Sequence, residues 1–194
     1  MPVIEAVLRA CFQGVIHGYE INDVSWNLAN NQIKLHQIEH RYIVHNASFF
    51  NFCNKPYSST LVTNPPYLPA WNDNCLYIKG LYGGIDGSMI SRRLLSLEYS
   101  TVLLMVSSFS NPAGLLQFAS EQGYSVVDFL IRPLSFGRYS SQPEVKSRIV
   151  ELYHEQKAFF SEHYYLLAGV VFQKQNHADM ELSADLIAVM QSLQ

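Results

Sequence analysis

The sequence has few charged residues and few cysteines, and each shortage excludes a class of protein. Aspartate, glutamate, lysine and arginine together make up 15% of the 194 residues, and the formal net charge is -3. That balance gives no general electrostatic attraction to nucleic acid or to an anionic membrane surface. The three cysteines (Cys11, Cys53 and Cys75) are odd in number and lack C-x-x-C spacing. We therefore expect no disulfide framework and a reducing compartment.

Long apolar runs are also missing from the sequence. No stretch approaches the roughly 18 consecutive apolar residues that a membrane-spanning helix needs. No basic region precedes an apolar one at the N-terminus. We therefore expect no signal peptide, no membrane contact and a cytoplasmic location. The protein is expected to be a monomer. Apolar residues nevertheless make up 48% of the chain, which is enough for a globular domain with a substantial core.

Strand and helix patterns alternate along the chain, which predicts an α/β fold with a mostly parallel, doubly wound sheet. The predicted strands are 14–22, 42–50, 60–64, 101–108, 125–131 and 164–173. Helical periodicity predicts helices at 3–13, 23–39, 87–97, 113–122, 143–160 and 181–193. In the helix at 23–39, we expect Val24, Leu28 and Leu35 to form the inner face, with Asn22 or Asp23 as the N-cap.

The domain organisation follows from the same pattern. We expect residues 1–174 to form one domain, with a helical insertion at about 137–161 before the last strand. Residues 175–194 are expected to form a helical tail. No internal repeat and no low-complexity segment interrupts this order.

Three of the predicted strands carry polar side chains near their carboxyl ends, at the edge of the sheet where doubly wound folds bind ligands. Glu20 in GYEIN could accept hydrogen bonds from both hydroxyls of a ribose. Asn46 in IVHNAS could accept one from an adenine amine. Either residue taken alone would also suit an ordinary turn. The third strand end, NPPY at 64–67, is far more specific, because a single proline suffices to end a strand.

The NPPY stretch resembles the (Asn/Asp/Ser)-Pro-Pro-(Tyr/Phe) motif of S-adenosylmethionine-dependent methyltransferases that methylate planar nitrogens. The segment LYGGIDGSMISRRLL at 81–95 is similar to the Gly-Gly-x-Asp-Gly segment of the glutamine methyltransferases that act on peptide release factors. The similarity runs from about residue 3 to about residue 131 and returns at 164–174. The resemblance implies a Rossmann-like methyltransferase fold, S-adenosyl-L-methionine as cofactor, and neither a metal ion nor a covalent intermediate.

The resemblance also implies a catalytic role for each residue of the motif. The side-chain oxygen of Asn64 and the carbonyl of Pro65 would hold the acceptor NH2 group. Pro65 and Pro66 would fix the direction of that carbonyl before the substrate binds. Tyr67 would cover the flat face of the acceptor and favour positive charge near it.

The cofactor contacts implied by the resemblance are Glu20, Ile21, Asn46, Ala47 and Asn64. Asn46 stands where the family usually has aspartate, and it can still accept a hydrogen bond from adenine, although without the charge. A larger departure is that the chain begins at the family's first helix, after the glycine-rich loop that cradles the cofactor. We expect translation upstream of Met1 to reveal a strand and that loop. Without them the chain should bind the cofactor weakly or not detectably.

Three functions remain open from the sequence. The expected acceptor is the side-chain amide of a glutamine in a peptide release factor. The alternative acceptor is an exocyclic amine of adenine or guanine in RNA or DNA, because the same side chains suit both groups. Low basicity slightly favours the protein acceptor. The remaining possibility is a non-catalytic remnant that keeps the fold without binding the cofactor.

Two further motifs are interpreted as structural. HQIEH at 36–40 matches the H-x-x-E-H pattern of metalloproteases. No third ligand is evident, so we expect no metal site. GGIDG at 83–87 lacks the Lys-Ser/Thr ending of a phosphate-binding loop. We expect it to form a flexible loop beside the site, with Asp86 capping the next helix.

Overall fold

The structure, a computed structural model, describes residues 14–51, 60–174 and 180–193. These residues belong to two compact units, Met1–Pro56 and Tyr57–Gln194. The helix predicted at 3–13 lies outside the described residues. None of the helices in the described ranges is long and apolar enough to cross a membrane.

The first unit is a strand–helix–strand arrangement. β1 (Ile16–Glu20) and β2 (Tyr42–Asn46) are parallel neighbours, and α1 (Asp23–Leu35) connects them. The side chain of Asn22 accepts a hydrogen bond from the Ser25 amide at 3.0 Å, which confirms Asn22 as the N-cap. Parallel strands joined by a crossover helix are the repeating element of a doubly wound sheet.

The buried face of α1 is not the predicted one. Val24, Leu28 and Leu35 are 68%, 61% and 71% exposed, so the prediction that they face inwards is wrong. Ala29 and Ile33 are buried instead. The predicted residues and the buried residues both have helical spacing. The buried set contains Ile33, which packs in an apolar cluster with residues that follow the helix. That cluster contains Ile33, Ile38 and Tyr42, with Ile16 and Val44 packed against it.

The second unit contains a four-stranded sheet in the order β3-β4-β6-β5. The strands are β3 (Thr60–Thr63), β4 (Thr101–Ser107), β5 (Tyr124–Ser135) and β6 (Tyr164–Lys174). β3 and β4 are parallel, whereas β6 lies between β4 and β5 and is antiparallel to both. β3, β4 and β5 therefore run in the same direction, which makes the strands mostly parallel as predicted.

The helices of the second unit occur in the predicted order. They are α2 (Met89–Leu95), α3 (Pro112–Glu121), α4 (Pro143–His154) and α5 (Ser183–Gln191). α4 lies between β5 and β6, where the inserted helix was expected, and it ends earlier than predicted. Its buried face consists of Val145, Arg148, Ile149 and Leu152.

β5 continues past the predicted end at residue 131. The added part of the strand contains Pro133, which cannot donate a hydrogen bond to a sheet. In the structure β5 is the outermost strand of the sheet and pairs with β6 alone within the described part. A proline is tolerated in such an edge strand because its missing N–H can face away from the neighbouring strand.

Candidate active site

The NPPY motif lies directly after β3, at its carboxyl end. Asn64 is exposed, Pro65 is buried, and Pro66 and Tyr67 are half-buried. All four residues line a cavity of about 340 Å³ in the second unit. The remaining walls come from Leu68, from residues 80–81, from the end of β5 and the segment that follows it (135 and 137–140), and from Tyr165 in β6. A cavity of this size can hold a small planar group together with part of the molecule that carries it.

The two oxygen atoms expected to hold the acceptor have no other partner in the described part of the chain. Neither the Asn64 side-chain oxygen nor the Pro65 carbonyl accepts a hydrogen bond from residues 14–51, 60–174 or 180–193. Both residues line the cavity, so a group bound there could donate to these oxygen atoms.

The segment after the motif is held by the loop that contains GGIDG. The Leu68 amide donates to the Leu81 carbonyl at 3.3 Å, and the Gly83 amide donates to the Leu68 carbonyl at 2.9 Å. The Ala70 amide donates to the Gly84 carbonyl at 3.2 Å. The predicted flexible loop is therefore a hydrogen-bonded wall that runs alongside the motif.

Two glycines of this loop allow its backbone to touch Tyr67. A Cβ atom on Gly83 would lie 2.7 Å from the Tyr67 Cα, and one on Gly87 would lie 2.6 Å from the Tyr67 carbonyl oxygen. The Ser110 hydroxyl donates to that same carbonyl at 2.7 Å. Together these contacts fix the backbone from which the Tyr67 ring projects.

Asp86 anchors the start of α2 without being its N-cap, which is Ser88. One carboxylate oxygen accepts from the Ser88 amide at 2.9 Å and from the Ser88 hydroxyl at 2.8 Å. The other accepts from the Asn111 amide group at 2.7 Å and lies 3.8 Å from the Arg92 guanidinium. Burial by itself raises the pKa of Asp86, but the hydrogen bonds from Asn111 and Ser88 and the charge of Arg92 outweigh it. The pKa of Asp86 is therefore lowered.

The Asp86→Asn variant is expected to be less stable than the parent at neutral pH, and the difference should shrink in acid. Since the folded-state pKa lies below the unfolded value of about 3.9, the ionised group stabilises the fold above that value. This stabilisation is lost as the pH falls through the folded-state pKa. Urea unfolding at neutral pH and at about pH 3 measures the difference. The exposed Asp128→Asn is the control, and a pH-independent difference for Asp86→Asn would contradict the prediction.

Arg148 connects the inserted helix α4 to the same loop. Its Nε donates to the Ile85 carbonyl at 2.9 Å, and its guanidinium lies 4.7 Å from the centre of the Trp71 ring. Glu151 and Glu155 pair with the guanidinium at 2.9 Å and 3.0 Å, so the buried cation is compensated. α4 thereby supports the wall that carries Gly83 and Gly87.

The predicted cofactor residues Glu20, Ile21, Asn46 and Ala47 belong to the first unit. Glu20 and Asn46 are in register at the carboxyl ends of β1 and β2, and the Ala47 amide donates to the Glu20 carbonyl at 3.1 Å. Ile21 is exposed. The Glu20 Oε1 accepts from the Asn22 amide at 2.8 Å. A carboxylate has two acceptor oxygens, so Glu20 keeps capacity for further donors.

The orientation of the Asn46 amide is set by Asp23. The Asn46 Nδ2 donates to the Asp23 Oδ1 at 2.7 Å. A carboxylate can only accept hydrogen bonds, so the NH2 end of Asn46 must face Asp23 and its oxygen must face elsewhere. The Asn46 oxygen is thus directed away from Asp23. Within the described ranges, no group of three or more His, Cys, Asp or Glu side chains is arranged to hold a metal ion.

Several residues of the cavity were missed by the sequence analysis. They are Ser135, Gly137, Arg138, Tyr139, Ser140 and Tyr165. The break in the strand pattern at SFGRYSS, 135–141, marks a loop at a strand end and could have identified the first five. Nothing distinguishes Tyr165 within the strand sequence YYLLAGVV, because its position in the cavity depends on the antiparallel pairing of β6 with β5.

Comparison with known proteins gives matches among solved structures. A putative tRNA (m1A22) methyltransferase, Sp1610 of Streptococcus pneumoniae, matches with a TM-score of 0.52 and 13% identity, over 98% of this chain and 64% of that one. A putative sarcosine dimethylglycine methyltransferase from Galdieria sulphuraria matches with a TM-score of 0.52 and 13% identity, over 90% of this chain and 74% of that one. The chain has a methyltransferase fold.

This methyltransferase fold confirms the predicted Rossmann-like fold class. No protein-family model and no curated protein sequence matches the chain. At 13% identity the likeness concerns the fold alone, because one fold can carry many reactions. The chain also spans less than two thirds of the length of Sp1610. The reaction must therefore be argued from the site residues.

Proposed function

We propose that this protein transfers a methyl group from S-adenosyl-L-methionine to a planar nitrogen, and that the acceptor is the side-chain amide of a glutamine in a peptide release factor. The observation that carries the proposal is the position of NPPY at the end of β3. There the motif lines a cavity of about 340 Å³. The Asn64 side-chain oxygen and the Pro65 carbonyl, which belong to two of its lining residues, accept no hydrogen bond from the described residues. The methyltransferase fold supports the same class of reaction.

The chemistry of the acceptor explains why two fixed oxygen atoms are needed. The lone pair of an amide or aromatic NH2 is delocalised, so the nitrogen is a poor nucleophile. Hydrogen bonds from its two hydrogens to the Asn64 oxygen and the Pro65 carbonyl would bend the group out of plane and localise the lone pair. The fixed torsions of Pro65 and Pro66 set the carbonyl before the substrate binds, so little reorganisation is needed. S-adenosylmethionine supplies a methyl group activated by its sulfonium.

The residues at the ends of β1 and β2 suit the nucleoside part of that cofactor. The unused acceptor capacity of Glu20 fits two ribose hydroxyls, and the Asn46 oxygen fits the adenine amine. Ile21 and Ala47 follow these two residues directly. They are proposed to contact the same nucleoside.

The Glu20→Ala variant is expected to bind S-adenosylmethionine more weakly by about 1.5–3 kcal/mol, the range for hydrogen bonds to a charged group. Calorimetric titration checks this on the longest form of the protein that the gene encodes. The substitution also removes the bond from the Asn22 amide, so unfolding is measured alongside. Glu39→Ala, at an exposed position of the same unit, is the control. Unchanged affinity of Glu20→Ala would leave Glu20 as a turn residue only.

One observation favours the alternative acceptor, an exocyclic amine of adenine or guanine in RNA or DNA. Arg138, Tyr139 and Tyr165 line the cavity together with Tyr67, and aromatic and guanidinium groups stack on bases. The net charge of -3 opposes nucleic acid binding. An assay that offers a release factor and bulk RNA side by side distinguishes the two acceptors. Transfer to neither would favour a non-catalytic remnant of the fold.

A further inference from the structure

Gln142 is a buried polar residue at the N-terminus of the inserted helix α4. It is 1% exposed and occupies the N-cap position, directly before Pro143. The side chain of an N-cap residue usually accepts a hydrogen bond from the first turn of its helix, and Ser, Thr, Asp and Asn are the preferred residues there. The side chain of Gln142 makes no such cap hydrogen bond. Its amide group is bonded elsewhere instead.

The Gln142 amide bridges two segments that lie far apart in the sequence. Its Oε1 accepts a hydrogen bond from the Tyr77 backbone amide at 2.7 Å, and its Nε2 donates to the Tyr139 carbonyl at 2.8 Å. A backbone N–H can only donate and a carbonyl can only accept, so these partners fix the orientation of the side-chain amide. Because the link is buried, breaking it leaves polar groups without partners, which costs more than the loss of an exposed hydrogen bond.

The first bridged segment forms one part of the cavity wall. Tyr77 leads into the short helical turn Lys79–Leu81, and Gly80 and Leu81 both line the cavity. The Leu81 carbonyl in turn accepts from the Leu68 amide, directly after the NPPY motif. A hydrogen-bonded connection therefore runs from the motif through this turn to the start of α4.

The second bridged segment, the loop at 137–140 after β5, forms another part of the wall. All four of its residues line the cavity. The Ser140 hydroxyl oxygen accepts from the Gly137 amide at 2.9 Å, and the Ser141 amide donates to the Gly137 carbonyl at 3.0 Å. The loop is thus closed on itself, and the bridge joins it as a unit to the turn described above.

We propose that Gln142 is a positioning residue that holds these two parts of the cavity wall at a fixed separation and thereby sets the size of the acceptor that fits. The inference rests on the proposed function, in which the cavity receives the acceptor. It also gives the inserted helix α4 a role, because its N-cap residue fastens the wall to the rest of the site. Arg148 holds the same helix to the Ile85 carbonyl at 2.9 Å, so α4 is anchored at two points.

The Gln142→Met variant tests the proposal, because it keeps the length of the side chain and removes both hydrogen bonds. The two loops can then separate and hold the acceptor less precisely. We expect kcat/KM for the acceptor that the parent methylates, a release factor or RNA, to fall about tenfold, the equivalent of one hydrogen bond. The KM for S-adenosylmethionine should not change. An unchanged kcat/KM for the acceptor, or an equal rise in the KM for the cofactor, would overturn the proposal.

Gln142→Glu is the conservative variant, and its pH profile distinguishes positioning from a general structural effect. A protonated carboxyl group both donates and accepts, so it can restore both hydrogen bonds, whereas an ionised one only accepts and loses the bond to Tyr139. Relative to the parent at the same pH, kcat/KM of Gln142→Glu should therefore recover as the pH falls, while the deficit of Gln142→Met should stay constant. A Gln142→Glu variant as defective as Gln142→Met at every pH would overturn the proposal.

Tyr124→Phe is the control for a loss of stability alone. Tyr124 is 1% exposed and its hydroxyl donates to the Tyr99 carbonyl at 2.6 Å, and neither residue lines the cavity. Removing this hydroxyl should lower the free energy of unfolding, while kcat/KM for the acceptor stays at the parental value. A kcat/KM that falls with stability in the same way in Tyr124→Phe and Gln142→Met would mean that Gln142 acts only as a structural residue, and it would overturn the proposal.

Hydrogen exchange of the Tyr77 amide gives a readout that does not depend on activity. This amide should exchange at least about tenfold faster in Gln142→Met than in the parent, because its acceptor is gone, and at nearly the parental rate in Tyr124→Phe. An unchanged exchange rate in Gln142→Met would overturn the proposal even if the parent transfers methyl groups. Faster exchange in a protein that transfers none would support the bridge and overturn the proposed function instead.

Discussion

Asn64→Ala is expected to lower the rate of methyl transfer on the order of a hundredfold or more, while the affinity for S-adenosylmethionine stays nearly unchanged. The Asn64 oxygen is expected to hold the acceptor NH2 most strongly in the transition state, where the nitrogen becomes pyramidal. An interaction made chiefly in the transition state lowers kcat without a matching change in binding when it is removed. Asn64 is exposed, so its truncation should cost little stability.

Steady-state kinetics and calorimetric titration of the parent and Asn64→Ala measure these two quantities. Asn31→Ala, an exposed asparagine in α1, is the control and should behave like the parent. Methyl transfer by Asn64→Ala at the parental rate would contradict the role of the motif. A loss confined to cofactor affinity would instead make Asn64 a cofactor-binding residue only.

Gly87→Ala is expected to be the most destabilising single substitution in the wall beside the motif. Gly87 has a φ of 79°, and an L-residue in that conformation costs about 1–2 kcal/mol. The added Cβ would also lie 2.6 Å from the Tyr67 carbonyl oxygen and 2.7 Å from the Ser110 Cβ. Overpacking of this kind adds about 1–3 kcal/mol. The folded fraction should also transfer methyl groups slowly, because the backbone of Tyr67 must move.

Gly123→Ala separates the cost of the positive φ angle from the cost of the steric contact at the added Cβ. Gly123 has nearly the same φ, 77°, but a Cβ there would meet nothing within 4 Å. We expect this variant to lose only the backbone contribution of about 1–2 kcal/mol and to keep the parental kcat. Urea unfolding of both variants provides the comparison. Equal losses of stability would show that the contact between Gly87 and Tyr67 does not restrict the site.

The sequence predicts the order of strands and helices and the end of β3 well, because both depend on local signals. Alternating strand and helix patterns identify the elements, and Pro65 and Pro66 mark the end of β3 from the chain alone. The inner face of α1 is mispredicted because two apolar sets share helical spacing, and only the packing around Ile33 selects between them. Local periodicity does not depend on that packing, so it cannot show which of the two sets is buried.

The rest of the candidate site depends on contacts between distant parts of the chain. Gly87 lies 20 positions after Tyr67 in the sequence, and the sequence cannot show that its missing Cβ makes room for the Tyr67 carbonyl. The same holds for Tyr165, which looks like an ordinary strand residue until β6 pairs with β5. Asp86 was predicted to cap α2, but Ser88 is the N-cap, and the bond from Asn111 to Asp86 depends on the folded structure.

Transfer of a labelled methyl group from S-adenosylmethionine tests the proposed function most directly. The protein, in the longest form that its gene encodes, is incubated with a peptide release factor and, separately, with bulk RNA. Mass spectrometry then identifies the methylated atom. We predict label on the side-chain nitrogen of a glutamine in the release factor, and its loss with Asn64→Ala. Label on an oxygen or carbon atom, or no transfer to any planar nitrogen of either acceptor, would contradict the assignment.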